Sequence, residues 1–305
     1  MFLRQFQYLV ALEQEGHFGR AAERCNVSQP TLSSAIKRLE EELGIPIILR
    51  QQRFQGFTAE GSRVVEWSKR ILVDRQAMLQ ELGIMRGHLH GHLRIAAMPM
   101  SMPVIGLIDR EFFEQYPDLQ IDIQFLGLEE MKLGLKNFEF DVGITYIGEQ
   151  PLERLETLPL YEEKLHLLVP DEDWFPDRTS VTWAEAAGVP LGLLSSSTHE
   201  RQITDKAFAA AGCAPLPRLE SNAMINLTYH VFQGGLATVV PKYFMQAVGG
   251  KSNSRLLLLE DPVITQKVGA VWLGGSPMLP MTKAAIELMA GAIDSGMIGK
   301  QLESM

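Results

Sequence analysis

The sequence predicts an N-terminal all-α winged helix-turn-helix, a long linker helix, and a C-terminal α/β region folded as two lobes. Three observations predict this. Residues 18–43 form two short amphipathic helical patterns broken by a polar turn. A proline-free stretch runs from Thr58 to about Met85 with apolar pairs at a seven-residue interval. From Leu93 onward, strand-like and helix-like runs alternate.

In the first part, Phe18, Ala21, Ala22 and Cys25 recur at helical intervals with Arg20, Glu23 and Arg24 between them, so one face is apolar and the other wet. Asn26 and Val27 make a turn, Ser28 is a suitable N-cap, and Pro30 is tolerated in the first helical turn. Leu32, Ala35, Ile36, Leu39 and Leu43 then form a buried stripe, leaving Gln29, Thr31, Ser33, Ser34, Lys37 and Arg38 away from it. Gln, Ser and Thr suit base edges in a major groove, and Lys and Arg suit phosphates. A helix pair of this kind also occurs as ordinary globular packing, and the text that follows decides between the two. Leu43 and Gly44 end the helix, Ile45 to Leu49 make a short β-like run, and Arg50, Gln51, Gln52, Arg53 and Gln55 precede Gly56, as in a hairpin tip carrying cations.

On these residues the chain resembles the LysR-type transcriptional regulators from end to end. The family's A-A pair, V-S-Q-P and R-L-E-x-x-L-G are met by Ala21, Ala22, Val27, Ser28, Gln29, Pro30, Arg38, Leu39, Glu40, Leu43 and Gly44, and its T-x-x-G by Thr58 and Gly61. His17 and Gly19 stand where the family usually has Ser and Thr around the opening Phe. The usual L-F-x-R appears as Ile47, Ile48, Leu49 and Arg50, so an aromatic is missing from the wing root. The resemblance implies a ligand-responsive regulator that reads double-stranded promoter DNA. It implies domains at 1–58 (DNA-binding), 59–87 (linker and dimerisation helix) and 88–305 (effector-binding), assembled as a homodimer and homotetramer. The expected DNA-contacting set is Ser28, Gln29, Thr31, Ser33, Ser34, Lys37, Arg38, Arg50 and Arg53.

Composition is that of an ordinary globular protein, 46% hydrophobic and 21% charged. A net charge of −9 argues at first against a polyanion partner, because phosphate binding is driven by neutralisation and counterion release. The charge is unevenly spread. Within residues 1–58 seven cations face six acids, leaving +1, while the remaining 21 cations and 31 acids leave −10. One copy is therefore expected to bind DNA poorly, with affinity coming from joined copies.

Two cysteines, Cys25 and Cys213, provide neither a disulfide framework nor metal spacing, so no metal or cofactor is expected. Cys25 reads as a packing thiol, and Cys213 as structural or surface rather than a redox sensor; the family's peroxide-sensing branch uses two cysteines in this region, and the second is lacking. There is no export segment and no run of about 18 apolar residues, so a cytoplasmic protein is expected. A rival reading is an enzyme or solute-binding module with a merely structural N-terminus, but no G-x-S-x-G, H-E-x-x-H, P-loop or dinucleotide fingerprint occurs in the cleft loops, and a non-enzyme is expected.

In the linker, Val64/Val65, Ile71/Leu72, Met78/Leu79 and Ile84/Met85 form the seam, widened by Trp67 and Leu82 and interrupted by Asp74 and Arg75. Dimerisation is preferred over packing within the chain, because a helix this long has few intrachain surfaces to cover it. Gly87, His88, Leu89, His90, Gly91 and His92 read as a solvated hinge. The α/β region follows with strands at Leu93–Ala97, Leu119–Phe125 and Phe140–Ile144, and helices over 103–116 and Leu128–Lys136. A second unit from near Leu160 has strands at Leu165–Val169, Val189–Leu194, Leu236–Val240 and Val268–Leu273, and helices near 198–211, 222–233 and 281–295. Such alternation predicts a parallel sheet with a cleft at strand ends and helix starts.

The resemblance implies an architecture like type 2 periplasmic binding proteins, with lobe I at about 92–160 and 267–300 and lobe II at about 161–266. It places ligand contacts in Met98, Met100 and Ser101 after the first strand, in Ser195, Ser196, Ser197 and Thr198 before a second-lobe helix, and at Leu128 and Tyr146. Asn222 and Arg201 are lesser candidates, and His199 and His230 are read as surface or core residues. Hydroxyls and free N–H groups at a helix start suit a small organic acid or anion, and serve equally as a cap. Met98, Met100 and Met102 are either packing or the lining of a pocket for an apolar-bodied effector.

Overall fold

A computed structural model describes residues 1–49, 54–85, 91–148, 152, 154–170, 174–248, 254–275 and 278–304. The chain divides into two units, Met1–Leu89 and His90–Met305.

The first unit is built on α1 (Leu3–Glu15), α2 (Phe18–Arg24), α3 (Gln29–Leu43) and α4 (Ala59–Met85). Leu9, Leu12, Ala21, Ala22, Leu32, Ile36, Leu39 and Ile47 are each 2% exposed or less and form one core. Burial of a large aliphatic side chain of this kind contributes roughly 1.5–3 kcal/mol. The small Ala21 and Ala22 let α2 approach its neighbours closely. The turn between α2 and α3 passes through Asn26 at φ 53°, a conformation Asn tolerates. Ser28 caps α3, its Oγ accepting from the Thr31 N–H at 3.4 Å, and α3 ends at Gly44 with φ 70°. Leu43, expected in the buried stripe, is 37% exposed, because the helix has by then run past the core it packs on.

Among the described residues the wing root is a single antiparallel bridge between Ile48 and Phe57; Arg50 and Arg53, expected at the tip, lie outside the described residues. Glu40 ties α3 to this root, its Oε1 accepting from the N–H groups of Ile47 and Ile48 at 2.7 and 3.1 Å. The missing aromatic is supplied from the other side of the wing: Phe54 packs edge-on to Phe18 at 6.0 Å and to Phe57 at 5.2 Å. The closing T-x-x-G has a physical cause. The Gly61 N–H donates to Thr58 Oγ1 at 2.8 Å, and a Cβ on Gly61 would lie 2.0 Å from the Ile47 carbonyl oxygen.

The seam of α4 divides along its length. Val65 is buried in the core, with Val64, Ile71 and Leu72 packed against it, and Lys69 pairs with Glu13 of α1 at 2.7 Å. Beyond them Met78, Leu79, Leu82 and Met85 are 45–79% exposed, as is Trp67 at 60%. The first two apolar pairs thus serve the chain's own core, and the third is left uncovered within its unit. Of the expected hinge, residues 86–90 lie outside the described residues, while Gly91 and His92 already belong to a strand.

The second unit contains β1 (Gly91–Ala97), a 3-10 turn (Pro99–Ser101), α5 (Met102–Gln115), β2 (Leu119–Phe125), α6 (Leu128–Lys136), β3 (Val142–Ile147) and β4 (Leu155–Pro170). It continues through β5 (Ser180–Thr182), α7 (Trp183–Ala186), β6 (Gly192–Leu194), α8 (His199–Ala210), β7 (Leu219–Ser221), α9 (Met224–Phe232) and β8 (Thr238–Pro241). It ends with α10 (Lys242–Ala247), β9 (Ser254–Glu260), β10 (Thr265–Leu273), α11 (Pro280–Asp294) and α12 (Met297–Ser304).

The main sheet runs β2-β1-β3-β10-β4-β9-β5, with β8 also on β4, while β6 and β7 pair separately. The expectation of a parallel sheet holds for β1 with β2 and β3, but β10 is antiparallel to both β3 and β4, and β4 is antiparallel to β8 and β9. The sheet is mixed because β10 runs between β3 and β4 against the direction of both, while β9 also runs against β4. The third strand begins at Val142 rather than Phe140, and all six of its residues are buried. Two lobes result, spanned by β4, whose first part pairs with β10 and whose last part pairs with β8 and β9.

Candidate nucleic-acid interface and ligand cleft

On α3 the leading residues Ser28, Gln29, Thr31, Ser33 and Ser34 are all exposed, as are Lys37 and Arg38, while Leu32, Ile36 and Leu39 hold the opposite face in the core. The Ser28 and Thr31 hydroxyls share a 2.8 Å hydrogen bond, so part of their capacity serves the helix start. Lys37 and Arg38 lie 3.9 Å from Glu41 and Glu42, one turn on; such exposed pairs are weak and leave the cations available to phosphates. On α2, by contrast, Arg24 pairs with Glu15 at 3.0 Å and Arg20 donates to the Glu15 backbone carbonyl. His17 replaces the usual cap, its Nδ1 accepting from the Gly19 N–H at 3.0 Å. Cys25 is half-buried, and burial pushes its thiol up, against the opposing charge of Arg24.

In the second unit a cavity of about 510 Å³ lies where strands of both lobes end. One lobe contributes Pro99 and Met100 after β1, Phe125 to Gly127 at the end of β2, and Leu128 to Glu130 at the start of α6; the other contributes Leu194, Ser197 to Glu200, Gln202 and Asn222. Of the expected contacts, Met100, Leu128, Ser197, Thr198 and Asn222 therefore meet at one cavity. Met98 is buried beside it and accepts at its carbonyl from Ser101 Oγ at 2.7 Å, so both residues brace the turn. The Ser195 N–H donates to the Ser221 carbonyl at 2.9 Å, and Ser196 is exposed; neither lines the cavity. Met102 is 37% exposed and lies outside it.

Thr198 is the N-cap of α8, its Oγ1 accepting from the Arg201 N–H at 3.3 Å. Arg201 is bound to its own lobe. Its Nη1 donates to the Leu194 carbonyl and to Glu220, both at 2.6 Å, and its Nε donates to Asp205 at 2.7 Å.

Tyr146 lines a small inner recess with Met100, Glu200 and Arg201, and its hydroxyl donates to Glu163 Oε1 at 2.7 Å. Burial pushes the Glu163 carboxyl up to about 8, against the lowering effect of the Tyr146 hydrogen bond. Burial and the neighbouring Glu163 raise Tyr146 and Tyr161 well above the ordinary phenol value. Glu163 Oε2 and the Tyr161 hydroxyl have no hydrogen-bond partner among the described residues.

Sequence reasoning missed Phe125, Glu129, Glu130, Glu200 and Gln202, and set aside His199, which forms part of the wall. The available signal was positional. All of them sit at the end of a strand or in the first turns of a helix that the alternation had already located. Among the described residues no helix is long and apolar enough to cross a membrane, and no group of three or more His, Cys, Asp or Glu could hold a metal.

A winged helix-turn-helix with an uncharged polar rim on α3, a long helix after it, and a two-lobed α/β unit enclosing a cavity at its strand ends define a class of ligand-responsive transcription factor. Residues 3–62 match the family described as bacterial regulatory helix-turn-helix protein, lysR family, and residues 86–293 match the LysR substrate binding domain. The chain belongs to the LysR family of DNA-binding transcriptional regulators, with a C-terminal effector-binding domain. It is 27% identical over 301 residues to the DNA-binding transcriptional dual regulator OxyR of Escherichia coli strain K12, covering 98% of this chain and 97% of that protein. A full-length OxyR from Pseudomonas aeruginosa superposes with a TM-score of 0.75 at 26% identity, covering 96% of this chain and 94% of that one. Full-length CbnR in complex with its target DNA shares the fold, with a TM-score of 0.65 at 20% identity, covering 96% of this chain and all (100%) of that one.

Proposed function

We propose that paired copies of this chain read a dyad-related operator, with Gln29, Thr31, Ser33 and Ser34 on base edges and Ser28, Lys37 and Arg38 on phosphates. Arg50 and Arg53 of the wing reach the flanking backbone. A small molecule held between the lobes shifts the assembly between two spacings of its winged helices, which requires it to prefer one arrangement over the other. The observation that carries this reading is the uncharged polar rim of α3, exposed along the leading edge of a helix whose other face is fixed in the core. A local charge of only +1 over residues 1–58 supports assembly, first along α4 into a homodimer and then into a homotetramer. In this reading the working parts are 1–58, 59–87 and 88–305, the chain acts in the cytoplasm, and it has no catalytic role. The two cysteines stand in different units, and neither lines the cavity, which favours a bound small molecule over a thiol-pair switch.

Fluorescence-anisotropy titration of the full chain with a duplex from the promoter beside its own gene tests the reading. Binding should weaken steeply with salt, and replacing Gln29 and Ser33 together by Ala should cut the preference over a scrambled duplex about tenfold or more. Equal affinity for both duplexes at low salt, unchanged by the substitutions, would overturn it.

A further inference from the structure

The charge of the cavity lining indicates the charge of its ligand. Glu129 and Glu130 stand in the first turn of α6 on one lobe, Glu200 stands in the first turn of α8 on the other, and all three line the cavity. Glu129 pairs with Lys132 at 2.9 Å, whereas Glu130 and Glu200 have no ion-pair partner among the described residues. Among the described residues no Lys or Arg lines the cavity, and Arg201, which borders the inner recess, is held by Asp205, Glu220 and the Leu194 carbonyl. The two helix starts offer an anion little. The dipole of α6, whose start carries no side-chain cap, already faces Glu129 and Glu130; that of α8 faces Glu200, and its Arg201 N–H is taken by Thr198. Glu163 lines neither the cavity nor the recess; it is buried behind Tyr146, to which it is hydrogen-bonded, and its other oxygen has no hydrogen-bond partner among the described residues. Met100, Phe125, Leu128 and Leu194 give the same cavity an apolar wall.

We propose that the cleft takes a small organic cation with an apolar body, an alkyl- or arylalkylammonium, its nitrogen between Glu130 and Glu200 and its body against Met100, Phe125, Leu128 and Leu194. The proposal rests on the reading of this cavity as the effector site, and it replaces the organic acid expected from the serine-rich loop. It also supplies a closing force. Carboxylates on opposite lobes repel when the cleft is empty and are both attracted to a cation placed between them.

The test is isothermal titration of the full chain with 2-phenylethylamine and with 3-phenylpropanoate, which pair a similar body with opposite charge. The amine should bind about tenfold or more tightly than the carboxylate, and Glu130→Gln and Glu200→Gln should each weaken the amine about fivefold without lowering the melting temperature. A carboxylate that binds as tightly as the amine, an amine that gives no heat at millimolar concentration, or amine binding unchanged in both variants would overturn the assignment. Duplex binding measured on the same preparation separates the two readings. If it persists while the amine fails, only the ligand class falls; if it too is absent, the regulator reading falls independently.

Discussion

Glu163 is the residue at which burial and charge conflict most directly. Its carboxyl titrates at about 8 in the folded chain because burial disfavours the ion, whereas an unfolded glutamate titrates at roughly 4.3. Between those values the folded chain holds a proton that the unfolded chain has released, so stability falls as pH rises through the window and levels off above it. Asp109, raised to about 6 by burial, acts in the same direction but completes its part lower. His166, lowered by burial, acts below the usual histidine range. The decline from about pH 7 to about pH 8 therefore belongs mainly to Glu163, and Glu163→Gln should flatten it in thermal unfolding at a series of pH values. A slope unchanged in the variant would contradict this. Little of it was legible in the sequence. Glu163 reads as one more charge in the run Glu162 to Lys164, and only the pairing of β4 with β10 turns it inward to Tyr146.

At the scale of elements, α4 carries the clearest expectation. Its exposed half presents Met78, Leu82 and Met85 on one face, with Trp67 three turns earlier, in a unit that leaves them uncovered. Replacing Met78 and Leu82 together by Glu should leave the fold intact and reduce the mass measured by sedimentation equilibrium by about half or more, since a covered seam contributes roughly 25 cal/mol per Å² of apolar surface. An unchanged mass would show that α4 is not the seam. Spacing alone revealed this helix, its length and its stripe. It could not reveal where the stripe changes partner, because periodicity records apolar positions and not what covers them. The same limit hid α1, where polar Gln5 occupies a buried position and donates to the Ala35 carbonyl at 3.3 Å, blurring the pattern. It also hid β9, whose four consecutive leucines fit a strand or a buried helix equally.

For the whole molecule, the alternation from Leu93 onward was sufficient to place the cleft at strand ends and helix starts, and Met100, Leu128, Ser197, Thr198 and Asn222 do line the cavity. Strand direction was not legible, since it depends on β10 being inserted between β3 and β4 rather than on any strand's own residues. The amides of His166 to Leu168, flanked on both sides by β8 and β9, should be among the slowest to exchange with deuterium in the second unit, with or without a cleft ligand. Fast exchange there would mean that the lobes separate by local unfolding. If the strand stays intact, its geometry governs how any signal leaves the cleft. β4 passes unbroken from its pairing with β10 to its pairing with β8 and β9, so neither half can swing like a gate on a loose pin. What a captured molecule can impose is torsion along a continuous ribbon. The receptor half is thus a stiff spring with short travel, in which a slight turn is transmitted rather than lost.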